Sequence, residues 1–219
     1  MILAIAGKKG SGKDTLADIL VDKHDFKKVS LADELKTLCS RVFEYPNKEN
    51  YDPSLKEKKW PAPIIISPVH IGRITNYLQL REFIVTDDMV LEMFNTGENR
   101  VMETPRQLLQ FVGTDLIRDI VDKEVWIKLT KRALEDYEGN VVIPDARFKN
   151  ERAAFKEVGG KLLLVIRPSV EIEYSADNHV SENQLGSESD YDIIFYNDST
   201  IHRFQREISL WYMGKHRHL

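Results

Sequence analysis

The stretch Gly7-Lys8-Lys9-Gly10-Ser11-Gly12-Lys13, set between the apolar run Ile2–Ala6 and a helical pattern at Leu16, Ile19, Leu20 and Lys23, leaves few folds open. Gly-x-x-x-x-Gly-Lys spacing forms a nest of backbone N–H groups around a triphosphate, and the lysine ammonium reaches the terminal phosphates. The glycines supply backbone angles that a Cβ would block and let phosphate approach the main chain. A strand, a glycine loop and a helix N-terminus together aim a positive dipole at an anion. The blander reading is a Gly-rich strand-helix turn without a ligand, and the strand and helix flanking the loop weigh against it. Gly7, Lys8, Gly10, Ser11, Gly12, Lys13, Asp14 and Thr15 are therefore the expected ATP-binding residues. Asp14 stands where such a loop normally carries Ser or Thr. A bare carboxylate beside triphosphate is repelled unless a cation lies between them, which points to Mg²⁺.

Composition narrows the class. At 219 residues the chain is long enough for one large domain, or a domain with an insertion. Its 31 Lys and Arg against 35 Asp and Glu give a formal charge of −4, so no overall basic field calls for nucleic acid. Cys39 is the sole cysteine, which excludes an internal disulfide and a cysteine zinc site. No apolar run reaches 18 residues and no signal-peptide pattern opens the chain, so the expected setting is a cytoplasm, without a membrane partner.

Further strands are expected at Lys27–Leu31, Asn140–Asp145, Lys161–Ile166 and Asp192–Tyr196. Their continuous apolar runs suit strands covered on both faces by helices. The expected fold class is thus α/β: a three-layer, doubly wound, five-stranded parallel sheet of the phosphate-loop type with right-handed crossovers. Residues 45–104 break the rhythm and hold five of the eight prolines, so they read as an insertion, with a hairpin-like stretch from Ile64 to Val85. Residues 168–190 lack periodicity and read as a lid-like segment. Ile201, Phe204, Ile208 and Trp211 predict a closing amphipathic helix, with Asn197-Asp198 either capping it or approaching adenine.

Two more stretches carry chemistry. In "VVIPDARFKNERAAF" a strand runs into Asp145, with Arg147 two residues on and Glu151 one turn into a helix. Together they supply metal orientation, a phosphate clamp and a partner that fixes the arginine; a surface ion cluster is the blander alternative. In "TPRQLLQFVGTDLIRDI" Thr104-Pro105 opens a helix with a buried stripe at Leu109, Val112, Leu116 and Ile120. Arg106 there can fork a phosphate, and Gln107 and Gln110 carry the donor–acceptor pair that reads a base edge. Arg118, Asp119 and Asp122 read as a solvated face.

"GKKGSGKDTLAD", "LADELK", "TPRQLLQFVGTDLIR", "VIPDARFKNE", "VIRP" and "HVSE" occur in an order that resembles phage-type deoxynucleoside monophosphate kinases. The resemblance runs from Met1 to about Asp198 and is poor between Asn47 and Asn99. It implies transfer of the γ-phosphate of ATP to deoxynucleoside monophosphates, on a nucleoside monophosphate kinase fold with a monophosphate-binding part and a lid. It places Asp14 and Thr15 at Mg²⁺ and phosphate, with Asp145 as a further metal-side oxygen. Lys13, Asp14, Arg106, Asp145, Arg147 and Glu151 would form the reaction centre. It puts Asp33, Lys36, Arg106, Gln107 and Gln110 around the acceptor, and His179, Ser181 and Glu182 in the lid. Lys36 is balanced between phosphate contact and a solvated helix lysine, as are Lys56, Lys58 and Tyr51. The implied partners are small molecules, in a host cytoplasm if the chain is of phage origin, with homodimer formation left open. The competing readings are another small-molecule phosphate-loop kinase, acting on dephospho-coenzyme A or phosphomevalonate, and an ATPase that remodels nucleic acid. The acidic balance weighs against the last.

Overall fold

The structure, a computed structural model, describes residues 1–8, 10–135, 137–146, 148–169 and 185–215. In chain order its first elements are β1 (Ile2–Ala6), α1 (Lys13–His24), β2 (Phe26–Lys28), α2 (Asp33–Phe43), α3 (Pro53–Lys56), β3 (Ile64–Ile65) and α4 (Pro68–Gln79). There follow α5 (Asp87–Gly97), β4 (Val101–Met102), α6 (Pro105–Gln110), α7 (Val125–Glu135), β5 (Asn140–Ile143), α8 (Lys149–Glu157), β6 (Lys161–Ile166), β7 (Ile193–Tyr196) and α9 (Ile201–Lys215). The chain divides into two compact units, Met1–Ser30 with Lys131–Leu219, and Leu31–Thr130. Among the described residues no helix is long and apolar enough to cross a membrane.

The first unit is a five-stranded sheet in the order β2-β5-β1-β6-β7. Every neighbouring pair is parallel, with Ala4 opposite Ile143 and Leu162. Because side chains alternate along a strand, Leu3, Ile5, Leu163 and Val165 share one face. They join Leu16 and Leu20 of α1 and Phe204 and Ile208 of α9 in one apolar cluster. Fully burying a leucine such as Leu16 or Leu20 contributes roughly 1.5–3 kcal/mol relative to leaving it exposed. The alternate residues Ala4, Ala6, Leu162 and Leu164 are buried on the other face. There α8, with Phe155 fully enclosed, packs against β6 and β1. The expected three-layer parallel sheet is what forms.

Three strand boundaries differ from expectation, β7 only in starting at Ile193 rather than Asp192. β2 lies at Phe26–Lys28 rather than Lys27–Leu31, since Phe26 supplies its buried anchor, though the Val29 N–H still bonds Val142 O at 3.0 Å. β5 stops at Ile143 because Pro144 has no N–H to offer a ladder, leaving Asp145 just beyond the strand.

The second unit is built on a helical core in which Leu35, Leu38 and Val42 of α2 meet Ile71, Ile74 and Leu78 of α4, Met93 of α5 and Leu108 of α6. The hairpin expected at Ile64–Val85 is absent. β3 pairs instead with the distant β4, antiparallel, and α4 occupies most of the interval. Ser67 and His70 cap α4 reciprocally, Pro68 sits in its first turn, and Ile71, Ile74, Tyr77 and Leu78 bury one face at helical spacing. Capping and a 3.6-residue period outweighed a strand-like composition.

The stripe expected after Thr104 is also shifted. Leu108, Phe111, Val112, Leu116 and Ile117 are buried, while Leu109 and Ile120 are only partly so. From Phe111 to Arg118 the helix widens into π-type turns, continued by Asp119 N–H to Thr114 O and Asp122 N–H to Ile117 O, both 3.0 Å. Each wider turn advances the inward face by about one residue, which a 3.6 period does not anticipate.

Candidate active site

In the first unit the chain leaves β1 through Gly7 and enters α1 at Lys13 with Gly12 as its N-cap. Gly7, Gly10 and Gly12 have φ of 148°, 80° and 107°, the region L side chains avoid. At Gly7 a Cβ would stand 2.5 Å from the Val165 carbonyl oxygen, and at Gly12 one would stand 2.6 Å from Asn197 Nδ2. The loop therefore excludes side chains where it turns. No side chain caps α1, so the orphan N–H groups of its first turn point outward.

Gly10, Gly12, Lys13, Asp14 and Thr15 line one cavity of about 300 Å³ together with Arg167, Asn197, Ser199 and Ile201. Gly7 and the buried Ser11 belong to the same loop but are not among the residues lining the cavity. Lys13 Nζ donates to Lys8 O at 2.9 Å, which folds the lysine back over the nest. Ser11 Oγ and Ser199 Oγ are enclosed without a hydrogen-bond partner among the described residues. Such groups cost free energy unless a ligand or water meets them, so both fit a bound polar molecule.

Ser199 and Arg167 are residues that the sequence reading did not assign here, while Asn197, read as either a helix cap or an approach to adenine, lines the cavity with them. Asn197 Nδ2 donates to Ser11 O at 2.9 Å, and Arg167 Nη1 reaches Gly10 O at 3.5 Å. Thr200, not Asn197 or Asp198, caps α9 through the Arg203 N–H at 3.4 Å. The available signal was position: Arg167 and Asn197 follow the carboxyl ends of parallel strands, where ligands gather in open α/β sheets.

Asp14 is exposed, with its carboxylate 3.7 Å from Lys28 Nζ, which Asp18 also engages at 2.9 Å. Asp145 follows β5 directly beside β1, where the Ala146 N–H bonds Ile5 O at 2.9 Å. Glu151 accepts the Phe148 N–H at 2.9 Å and so closes the start of α8. Arg147, its expected partner, lies outside the described residues, as do His179, Ser181 and Glu182. Among the described residues no group of three or more His, Cys, Asp or Glu is placed to hold a metal. Mg²⁺ commonly takes only one or two carboxylates plus phosphate and water oxygens, so the hard oxygens of Asp14, Thr15 and Asp145 remain suitable donors.

In the second unit Lys36 is buried, its Nζ 3.0 Å from Asp33 Oδ1 and 3.9 Å above the Tyr51 ring. The Tyr51 hydroxyl donates to the same Asp33 oxygen at 3.1 Å. Arg106, set by the Thr104 cap that accepts the Gln107 N–H at 3.2 Å, pairs with Glu57. Burial, and then the charges of Lys36 and Arg106, hold the Lys56 ammonium below the usual lysine range. Lys36, Lys56 and Arg106 are thus brought into one electrostatic neighbourhood. Gln107 Oε1 accepts the Glu103 N–H at 2.8 Å. Gln107 and Gln110 line a separate opening of about 510 Å³ with Phe111 and Asp115.

Fold and loop define the class: a parallel α/β protein with a phosphate loop after its first strand. The sequence profile of the deoxynucleotide monophosphate kinase family matches residues 1–64 and 73–208. A relative from Acanthamoeba polyphaga mimivirus is 32% identical over 220 residues, covering 95% of this chain and 94% of its own. The deoxynucleotide monophosphate kinase of Enterobacteria phage T4 is 25% identical over 229 residues, covering 91% and 93%. That of Escherichia phage RB69 is 24% identical over 241 residues, covering 94% and 97%. The chain belongs to the deoxynucleotide monophosphate kinase family.

Proposed function

We propose that the chain transfers the γ-phosphoryl group of ATP to deoxynucleoside monophosphates, giving the deoxynucleoside diphosphate and ADP. The observation that carries this reading is the pairing of a backbone phosphate nest in one unit with a cluster of buried and half-buried cations in the other. An oxygen of the acceptor phosphate attacks the γ-phosphorus as the bond to the β-bridging oxygen breaks and ADP leaves. That acceptor oxygen is already ionised, so no general base is required. What the reaction needs is alignment and neutralised charge.

The loop amides, the N-terminus of α1 and Lys13 hold the donor phosphates. Asn197 keeps the loop in shape through Ser11 O, and Ser199 and Arg167 border the same cavity. Lys36 and Arg106 hold the acceptor phosphate, with Asp33 and Tyr51 orienting Lys36. Gln107 and Gln110 face the acceptor's base. Asp14, Thr15 and Asp145 would hold Mg²⁺, which would supply neutralisation of the triphosphate charge. Arg147 adds a planar donor at the transferring group, and Glu151 fixes the helix start beside it.

The test is ADP release at fixed ATP and Mg²⁺ with each dNMP, each NMP and dephospho-coenzyme A offered separately. At least one dNMP should raise release well above the acceptor-free rate. Stimulation by dephospho-coenzyme A alone would replace this reading with a different small-molecule kinase.

A further inference from the structure

We infer that Lys56 is a third phosphate-binding cation of the acceptor site, joining Lys36 and Arg106. This rests on the acceptor reading of the second unit given above.

Lysines abound in the stretch "YDPSLKEKKW", and most charge runs are solvated. The fold separates them. Lys58 and Lys59 are exposed, and Lys59 pairs with Glu103, whereas Lys56 is half-buried. Its position is set by a chain of contacts reaching back to α2. Asn50 is fully buried, and its Nδ2 donates to the Lys36 carbonyl at 3.1 Å and to Asn47 Oδ1 at 3.0 Å. Tyr45 OH donates to Asn50 Oδ1 at 2.7 Å, and Ser40 Oγ donates to Tyr45 O at 2.7 Å. This polar network, satisfied on every side, bolts the segment after α2 to the helix that carries Lys36.

From that anchor the chain places Tyr51 over Lys36 and then turns into α3, which Asp52 caps through the Ser54 N–H at 2.8 Å. The last residue of α3 is Lys56, and its C-cap is Glu57, the partner of Arg106. One short helix therefore delivers a lysine beside Lys36 and a carboxylate onto Arg106.

The local charges are three cations (Lys36, Lys56, Arg106) and two carboxylates (Asp33, Glu57). Among the described residues Lys36 pairs with Asp33 and Arg106 with Glu57, while no ion pair holds Lys56, in a chain whose formal charge is −4. Crowding like charges in a partly desolvated place costs free energy in the free protein. Burial, and then the charges of Lys36 and Arg106, disfavour the Lys56 ammonium, and an arriving phosphate dianion would offset that cost. A lysine whose only task was solubility would extend into water, as Lys58 does.

The experiment compares Lys56→Met and Lys56→Arg in the full chain. It measures equilibrium binding of the dNMP that wild type uses best, binding of the matching deoxynucleoside without phosphate, and KM for ATP. Losing a charge-assisted hydrogen bond should weaken dNMP binding by on the order of tenfold to a hundredfold in Lys56→Met. Deoxynucleoside binding and KM for ATP should stay unchanged, and Lys56→Arg should recover most of the loss. Unaltered dNMP binding in Lys56→Met overturns the inference. So does an equal loss for the nucleoside, which would mark Lys56 as merely structural. A wild-type protein that binds no nucleoside monophosphate would instead remove the acceptor reading itself.

Discussion

On the proposed reading, the two units would meet phosphate by different physical means. In the first, the nest is made of main chain: three glycines at positive φ, the uncapped start of α1, and one lysine folded over them. In the second, the candidate site is made of side chains, with Lys36 from α2 held by Asp33 and a tyrosine ring, Arg106 from α6 held by Glu57, and Lys56 at the end of α3. A main-chain nest is specified by the spacing of a few consecutive residues. A side-chain cluster exists only once distant helices have packed, so its members carry no shared local signature.

The largest effect should come from Arg147→Lys, which keeps a charge but loses the planar fork on the donor side. Turnover should fall by on the order of 10²–10³, the range seen for removal of a charge-stabilising donor. Near-normal turnover would return Arg147 to a surface ion pair and leave the nest as the first unit's whole contribution.

Asp14→Asn should have a smaller effect. If Asp14 orients Mg²⁺, turnover should drop by roughly 10–100-fold with a raised Mg²⁺ requirement, the range for groups that orient a metal. The apo melting temperature should hold, because the exposed carboxylate gives α1 only a few tenths to about 1 kcal/mol through the dipole. The opposite pattern, a lower melting temperature with unchanged Mg²⁺ dependence, would make Asp14 a helix-terminus residue. Lys28, already within 3.7 Å, would then be its natural counterion.

Purely structural, and without direct effect on phosphate binding, is the contrast between the two cores. Leu16 and Leu38 are both fully buried, in separate apolar clusters. Truncating either to alanine should cost about 2–5 kcal/mol by denaturant unfolding, and the double variant should be additive to within roughly 0.5 kcal/mol. Cys39 is a ready local probe, since it is buried and burial pushes its thiol up, so a thiol reagent sees it only on opening. Leu38→Ala should speed its labelling, and Leu16→Ala should not. Equal acceleration by both would mean that the cores open together.

The same contrast explains what could be read from the sequence. The runs Leu162–Ile166 and Val141–Ile143 are apolar throughout because both faces of those strands are covered, so strand and sheet type were visible at once. The loop and its helix were visible through glycine spacing and the stripe at Leu16, Ile19 and Leu20. The second unit hid more. Its strands β3 and β4 are two residues each and pair across the whole of α4 and α5, so no local alternation announces them. Its π-type turns bury Phe111 beside Val112 and Ile117 beside Leu116, a pairing that a single 3.6-residue stripe does not announce. Arg167 escaped assignment, and Asn197 stayed open between a helix cap and an approach to adenine, because their contacts to Gly10 and Ser11 are made across the sheet, not along the chain.

The central claim is a division of labour, with the donor held by the first unit's backbone nest and the acceptor by the second unit's cations. It is tested most directly by measuring, on the Lys13→Met protein, equilibrium binding of a non-hydrolysable ATP analogue beside binding of the preferred dNMP. The account predicts that the analogue weakens by on the order of tenfold to a hundredfold, the loss expected for a charge-assisted phosphate contact, while dNMP affinity is unchanged. Loss of dNMP binding to the same degree, or an unaffected analogue, would contradict it.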